Sequence, residues 1–164
     1  MARWHRGEQT VRYLVGRGRL EGLATQDLAG LAAALIGRAE LRLQATARPA
    51  LSNGDADGAY ATAYDAYRMA AEALLGRQGL RATGGDGSHM AVEDAVSAQF
   101  AADIPAFAKP AFERLRRTRH AAQYFDPDAA PITAADARWA IGKAADAIAG
   151  ARKLLKAGPP GRFG

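Results

Sequence analysis

The sequence predicts an all-α fold, an up-and-down helical bundle of four long helices with one or two short ones. Apolar residues recur at helical spacing along most of the chain, no segment alternates as a half-buried strand would, and helix-favouring Ala, Leu and Arg dominate while β-branched residues are sparse. The 164 residues suffice for one domain with a buried core. We therefore expect essentially no sheet, one helical domain over residues 1–157 and a disordered tail, 158–164, which begins Gly-Pro-Pro-Gly.

Glycines and a proline delimit the first two predicted helices. A short helix is expected over residues 8–20, ending in the region of Gly16 and Gly18. A second helix is expected over residues 25–47, and it stops at Pro49 because proline has no backbone N–H to continue the helical hydrogen bonding.

The third predicted helix, residues 55–78, carries the clearest apolar stripe, with Tyr60, Tyr64 and Tyr67 at helical spacing. Such tyrosines can form a base-stacking surface, but they are more typical of a core in which the hydroxyls reach a partner, and we predict a core helix. The glycine-rich segment 79–89 is predicted to be a connection across one end of the bundle. It lacks the Gly-Lys-Ser/Thr of a Walker loop, and no predicted strand precedes it.

Three more helices complete the predicted bundle. A short one spans residues 88–102, and after Pro105 and Pro110 an arginine-rich one runs to about residue 125. The last begins at a capping box formed by Thr133 and Asp136, and continues to about residue 155.

Composition limits the classes of function. The chain has 22 Lys and Arg against 17 Asp and Glu, a modest basic excess that favours polyanions weakly and is equally typical of a solvated surface. It has no cysteine, which excludes disulfides and thiolate-bound metal and favours a cytoplasmic location. Its histidines are His5, His89 and His120, too far apart to form a metal-ligand pair, so we expect no metal and no cofactor. No long apolar run or signal peptide is present, so we expect no membrane association.

The arginine-rich helix contains an arginine in an unusual position. Arg119 falls on the same helical stripe as Phe112 and Leu115, the face that should be buried. A buried guanidinium needs a partner. Arg119 therefore either extends its head group to solvent past the apolar face or faces a polar cleft, where it can bind a phosphate through two hydrogen bonds.

A polar strip lies beside this stripe. Arg116, His120 and Tyr124 follow one another at four-residue spacing, with Arg117 close by, so this edge can hold a phosphate. Histidine, with an ordinary pKa near 6.5, can exchange protons at neutral pH, whereas tyrosine, with an ordinary pKa near 10, does so poorly. His89 is a further candidate phosphate ligand if it lies near a helix N-terminus.

Two segments resemble one family. The first similar segment is residues 119–124, Arg-His-Ala-Ala-Gln-Tyr, at the end of a long helix, and the second is residues 63–75 with the glycines and His89 that follow. The family is that of the HEPN domains (higher eukaryotes and prokaryotes nucleotide-binding). The resemblance extends over roughly residues 20–155. It implies a helical bundle that forms a homodimer, with the arginine helices of two protomers lining a shared cleft.

Many members of that family are metal-independent ribonucleases, often toxins paired with a nucleotidyltransferase-type antitoxin, and their motif is Arg, four to six residues, then His. In the register that aligns best, Arg119 takes the Arg position and Tyr124 stands where His would be. A second register, Arg114 followed by His120, satisfies the spacing but places Arg114 on a different side of the helix.

These observations leave three hypotheses. The loss of the motif histidine favours a non-catalytic HEPN-like module that binds RNA, a nucleotide or a protein partner. The alternative is a ribonuclease in which Arg119 holds the scissile phosphate and His120 or Tyr124 assists proton transfer from a 2′-hydroxyl. A purely structural role is the third. The candidate phosphate contacts in the first two are Arg114, Arg116, Arg117, Arg68 and His89.

Overall fold

The computed structural model describes residues 4–85 and 87–164 and is a bundle of helices, as predicted. No helix within these residues is long and apolar enough to span a membrane. The elements, in chain order, are α1 (Glu8–Gly16), β1 (Leu20–Gly22), α2 (Leu28–Arg42), a π-helical turn (Leu43–Ala47), α3 (Arg48–Ser52), α4 (Ala56–Arg77), β2 (Leu80–Ala82), α5 (Ser88–Phe100), a 3-10 turn (Pro105–Phe107), α6 (Lys109–Gln123) and α7 (Ala134–Ala157).

Helix α4 lies at the centre of the bundle, with α2, α5, α6 and α7 packed around it. Asp55 begins the helix by accepting a hydrogen bond from the Gly58 N–H at 2.8 Å. Buried positions then follow on nearly every side, which is the pattern of a helix enclosed by others. Half of them are alanines, whose small side chains let the neighbouring helices approach closely: Ala59, Ala63, Ala66, Ala70, Ala71 and Ala73.

The three tyrosines of α4 are fully buried, which confirms that they belong to the core. The hydroxyl of Tyr67 donates to the Ala106 carbonyl at 2.7 Å, and its ring packs against Phe107 and edge-on against Phe112. Burial raises the pKa of Tyr67, so it remains a hydrogen-bond donor at neutral pH. These contacts fix the start of α6 against α4.

The expectation of essentially no sheet needs a small correction, because β1 and β2 pair as an antiparallel two-stranded sheet with Glu21 opposite Arg81. Their side chains form an ion pair at 2.7 Å across the strands. The sequence predicts residues 8–20 as one helix and 79–89 as a loop. Each strand has only three residues, too few for an alternating pattern to be visible, and each is stabilised by a partner distant in sequence.

The predicted stop at Pro49 is wrong. The helical path continues as α3, since the chain widens into the π-helical turn, where the Arg48 N–H donates to the Leu43 carbonyl five residues back. Pro49 then stands in the first turn of α3, where a missing N–H costs little.

The segment 158–164 follows a defined path, whereas the sequence predicts disorder. The Phe163 N–H donates to the Gln78 carbonyl at 2.8 Å, and the Arg162 guanidinium donates to the carbonyls of Leu23 and Thr25. Gly and Pro in this segment prevent a helix but not an extended path, so local sequence alone does not reveal these contacts.

Two glycines of α7 give a matched test of how tightly the bundle packs. A Cβ on Gly150 would lie 2.7 Å from Ile104 Cγ2, whereas a Cβ on Gly142 would meet nothing within 4 Å. Replacing a helical glycine by alanine ordinarily stabilises by about 1 kcal/mol. We therefore expect Gly142→Ala to raise the free energy of unfolding by about that amount, and Gly150→Ala to lower it. Urea unfolding followed by circular dichroism measures both, and equal stabilisation would contradict the close contact.

Candidate functional site

One cleft of about 660 Å³ collects most of the predicted site residues. It lies between the C-terminal half of α6 and the glycine turn that leads into α5. Gly87 in that turn has φ +84°, a left-handed conformation that favours glycine, and from there the chain enters α5. The lining residues are Gly85, Gly87, His89, Met90, Arg116, Arg117, Arg119, His120, Gln123 and Tyr124.

Arg119 has the partner that its position on the apolar stripe of α6 requires. Its Nη2 donates to Asp65 Oδ1 on α4 at 3.3 Å, and its Nη1 donates to the side-chain oxygen of Gln123. The side chain is only 22% exposed, and the guanidinium lies 5.9 Å from the centre of the Tyr64 ring. Its buried Nε has no hydrogen-bond partner among the described residues. Arg119 is thus held in the wall of the cleft with one donor still unsatisfied.

Arg116 is held in a similar way from α5. Its Nε donates to Glu93 Oε2 at 2.7 Å, and the Glu93 side chain is only 3% exposed. A carboxylate this deeply buried requires a cation, because the loss of hydration is otherwise uncompensated. Glu93 therefore fixes Arg116 at the cleft, and the two side chains join α5 to α6.

Arg117 is the most exposed of the three cleft arginines. Its side chain is 71% exposed and pairs with Glu113 one turn earlier on α6, at 2.7 Å. Exposed pairs of this kind contribute about 0.5 kcal/mol or less, because water competes with both partners. Arg117 can consequently leave Glu113 for a phosphate at little cost.

His120 and Tyr124 form the outer part of the cleft. Their ring centres are 4.8 Å apart. The predicted end of this helix, about residue 125, is too late, since α6 ends at Gln123 and Tyr124 has extended backbone dihedrals. Tyr124, which lines the cleft, is 60% exposed and gives the cleft an aromatic edge, and the next residue, Phe125, is 93% exposed.

His89 connects the cleft to the core. Arg68 Nη1 lies 2.7 Å from His89 Nε2, and the Tyr64 hydroxyl lies 2.9 Å from His89 Nδ1. The same Nη1 lies 3.4 Å from His89 Nδ1, and because a guanidinium can only donate, the imidazole accepts from Arg68. Burial, followed by the charges of Arg68 and Arg119, lowers the pKa of His89 to about 4. His89 therefore lines the cleft as a neutral side chain at pH 7.

Two of the predicted phosphate contacts do not line the cleft. Arg68 lies behind His89 and also pairs with Glu72 at 3.3 Å. Arg114 faces α7, where its guanidinium lies 3.9 Å from the centre of the Trp139 ring and 3.6 Å from Asp136. Arg114 and His120, the second motif register, thus belong to different faces of the molecule.

The carboxylates behind the arginines are the functional residues that sequence reasoning missed. Glu93 shares a helical stripe with Val96 and Phe100, both fully buried, so the pattern that singled out Arg119 also marks Glu93. Asp65 gives no such signal, because its role depends on how α4 and α6 pack. Each cleft arginine has a carboxylate near it, so the local charge is less positive than the sequence suggests.

Among the residues that the structure describes, no three His, Asp or Glu side chains gather into a possible metal site. Comparisons with family models, with curated proteins and with solved structures found no match to this chain. Function is therefore inferred from the geometry of the cleft and from the sequence.

The neutral state of His89 can be tested directly by NMR titration. We expect a pKa of about 4 in the native protein. Arg68→Met removes a neighbouring charge and should raise this pKa, while burial keeps it below the ordinary value of about 6.5. Arg117→Met, which removes an exposed charge, is the control and should leave the His89 pKa unchanged.

The lowered pKa also makes stability depend on pH. As pH falls, the His89 imidazole is protonated in the unfolded state at a higher pH than in the native state, so the free energy of unfolding should fall as pH drops from about 6.5 to 4. A His89 that titrates near 6.5 would contradict this assignment.

Proposed function

We propose that the chain is a non-catalytic HEPN-like module that binds single-stranded RNA through the cleft, in a defence or toxin–antitoxin setting. The observation that carries the proposal is the convergence of Arg116, Arg117 and Arg119 on one cleft with an aromatic edge. Cations that follow a phosphate backbone, together with aromatic rings on which bases stack, are the usual means of binding single strands.

The carboxylates orient the arginines for this role and leave most of their N–H donors available. A guanidinium has five N–H donors, and Glu93 and Asp65 each engage only part of one guanidinium. Arg116 and Arg119 are held in place before a ligand binds, so little side-chain entropy is lost on binding. Arg117 exchanges Glu113 for a phosphate, and Tyr124 or Phe125 stacks on a base.

Binding is favoured over cleavage by the groups next to Arg119. Its Nη atoms already donate to Asp65 and Gln123. His89 is neutral and engaged by Arg68, and Tyr124, at the motif position, lies at the exposed edge beyond the end of α6. None of these is arranged as an acid and base pair around a single reacting phosphate.

A two-fold homodimer with α6 near the axis is part of this proposal. Phe125, almost fully exposed, is the apolar side chain such an interface would cover, together with part of Tyr124. A nucleotidyltransferase-type partner is the cognate protein that the HEPN resemblance suggests. Light scattering at tens of micromolar protein, with Phe125→Ser for comparison, tests the dimer.

Binding is tested by fluorescence anisotropy with a labelled single-stranded oligoribonucleotide over a range of salt concentrations. Arg117→Ala should lower the affinity severalfold at about 0.1 M salt, and should make the slope of log K against log salt less negative by about 0.7, the value for one phosphate contact. Glu113→Gln, which frees Arg117, should raise the affinity. Both side chains are solvent-exposed, so neither change should affect folding.

Arg38→Ala on α2 is the matched control for that experiment. This arginine is exposed and does not line the cleft, so its loss should leave both affinity and slope nearly unchanged. If Arg117→Ala and Arg38→Ala weaken binding equally, the RNA contacts are non-specific surface charge. If RNA does not bind at all, the proposal fails.

The second candidate function is a metal-independent ribonuclease. The observation in its favour is that Arg119 and His120 line the same cleft, one next to the other in sequence. Arg119 would then stabilise charge on the phosphate, His120 would take the proton of the 2′-hydroxyl, and Tyr124 would hydrogen-bond.

The ribonuclease hypothesis predicts RNA cleavage in EDTA that leaves a 2′,3′-cyclic phosphate. Arg119→Ala should abolish activity, and His120→Ala should cost more than Tyr124→Phe, because an imidazole exchanges protons near neutral pH and a phenol does not. Gel analysis of labelled RNA, with thermal unfolding of each variant as a check on folding, measures this. Equal cleavage by the wild type and Arg119→Ala would identify a contaminating nuclease.

A further inference from the structure

A second hollow adjoins the cleft. It has a volume of about 190 Å³ and shares Gly87 and Met90 with the cleft. Its other wall comes from the end of α1 and the residues that follow, including Tyr13, Arg17 and Arg19. The two hollows therefore meet at the start of α5, and together they make a depression that extends from α6 to α1.

The depression follows one face of α5. Gly87, Met90 and Asp94 are spaced three and four residues apart, so they lie along one side of the helix over about 10 Å. Met90 is 50% exposed and Tyr13 is 63% exposed. Large apolar side chains this exposed are few in the described part of the chain, and these two lie at the same hollow.

The charges along this path suit a polyanion. Arg17 ends α1 with an exposed side chain. A Cβ placed on Gly87 would lie 3.0 Å from Arg19 Nη1, so the Arg19 guanidinium lies against the backbone where the two hollows meet. Among the described residues that line the hollow, the acidic one is Asp94, which accepts a hydrogen bond from Lys109 Nζ at 2.9 Å that compensates its charge.

We propose that single-stranded RNA in the cleft continues across this second hollow, with a base stacked on Tyr13 and the adjacent phosphate beside Arg17. The inference rests on the proposed function and extends it from a phosphate site to a track that takes several consecutive nucleotides. The alternation of exposed ring and cation favours a single strand over a duplex, whose bases are already stacked on one another and unavailable to Tyr13.

The experiment compares a short oligoribonucleotide of about three residues, which fills only the cleft, with one of about ten, which can reach Tyr13. Both are titrated against wild type, Tyr13→Ala and Tyr13→Phe, with Leu41→Ala as the control. Leu41 is also an exposed apolar residue, at 66%, and it lies on α2, away from the track. A stacking contact contributes about 1–3 kcal/mol by alanine substitution, equivalent to about fivefold to a hundredfold in affinity.

We expect Tyr13→Ala to weaken the long oligonucleotide about tenfold or more and to leave the short one unchanged. Tyr13→Phe keeps the ring and should restore long-oligonucleotide binding, and Leu41→Ala should match the wild type. If both lengths bind but Tyr13→Ala changes neither, or weakens both equally, the track is refuted and the proposed function stands. If neither length binds to any of the proteins, the proposed function itself fails.

Discussion

The enclosure of α4 on nearly every side is the constraint on which the rest of the structure depends. Its alanines allow α2 and α7 to pack closely, and its tyrosines fill the remaining space, two of them, Tyr64 and Tyr67, also connecting to neighbouring elements through their hydroxyls. Tyr67 positions the start of α6, while Tyr64 contacts His89 at the start of α5. The two helices that form the cleft are therefore both placed by α4.

Two ion pairs connect this core to the cleft. Asp65 on α4 holds Arg119, and Glu93 on α5 holds Arg116, so each arginine is attached to a different helix of the scaffold. The pair of the buried Glu93 adds little to stability, because desolvation offsets most of the attraction, but it is costly to break. What both pairs provide is a fixed orientation, which is what a binding site for phosphates needs. Removal of either carboxylate would leave its arginine without the partner that orients it.

Much of the fold could be predicted because helical periodicity is a local property. The core role of the α4 tyrosines and the capping box at Thr133 follow from spacing within a single helix, and the structure has both. Two of the errors share one cause, since β1 with β2 and the path of residues 158–164 depend on partners distant in sequence. The continuation past Pro49 depends on a π-helical turn that no residue type specifies.

For the cleft, the sequence alone determined that Arg119 would lie on an apolar face and need a partner, and that Arg116 and His120 would share its neighbouring edge. Helix geometry is sufficient for both statements. Only the tertiary structure decided which partner Arg119 has, that Arg114 belongs to the α7 side, and that His89 is kept neutral by Arg68 and burial. These outcomes depend on which helices meet and on how much water they exclude, because the energy of a charge is set by its surroundings and not by its own residue type.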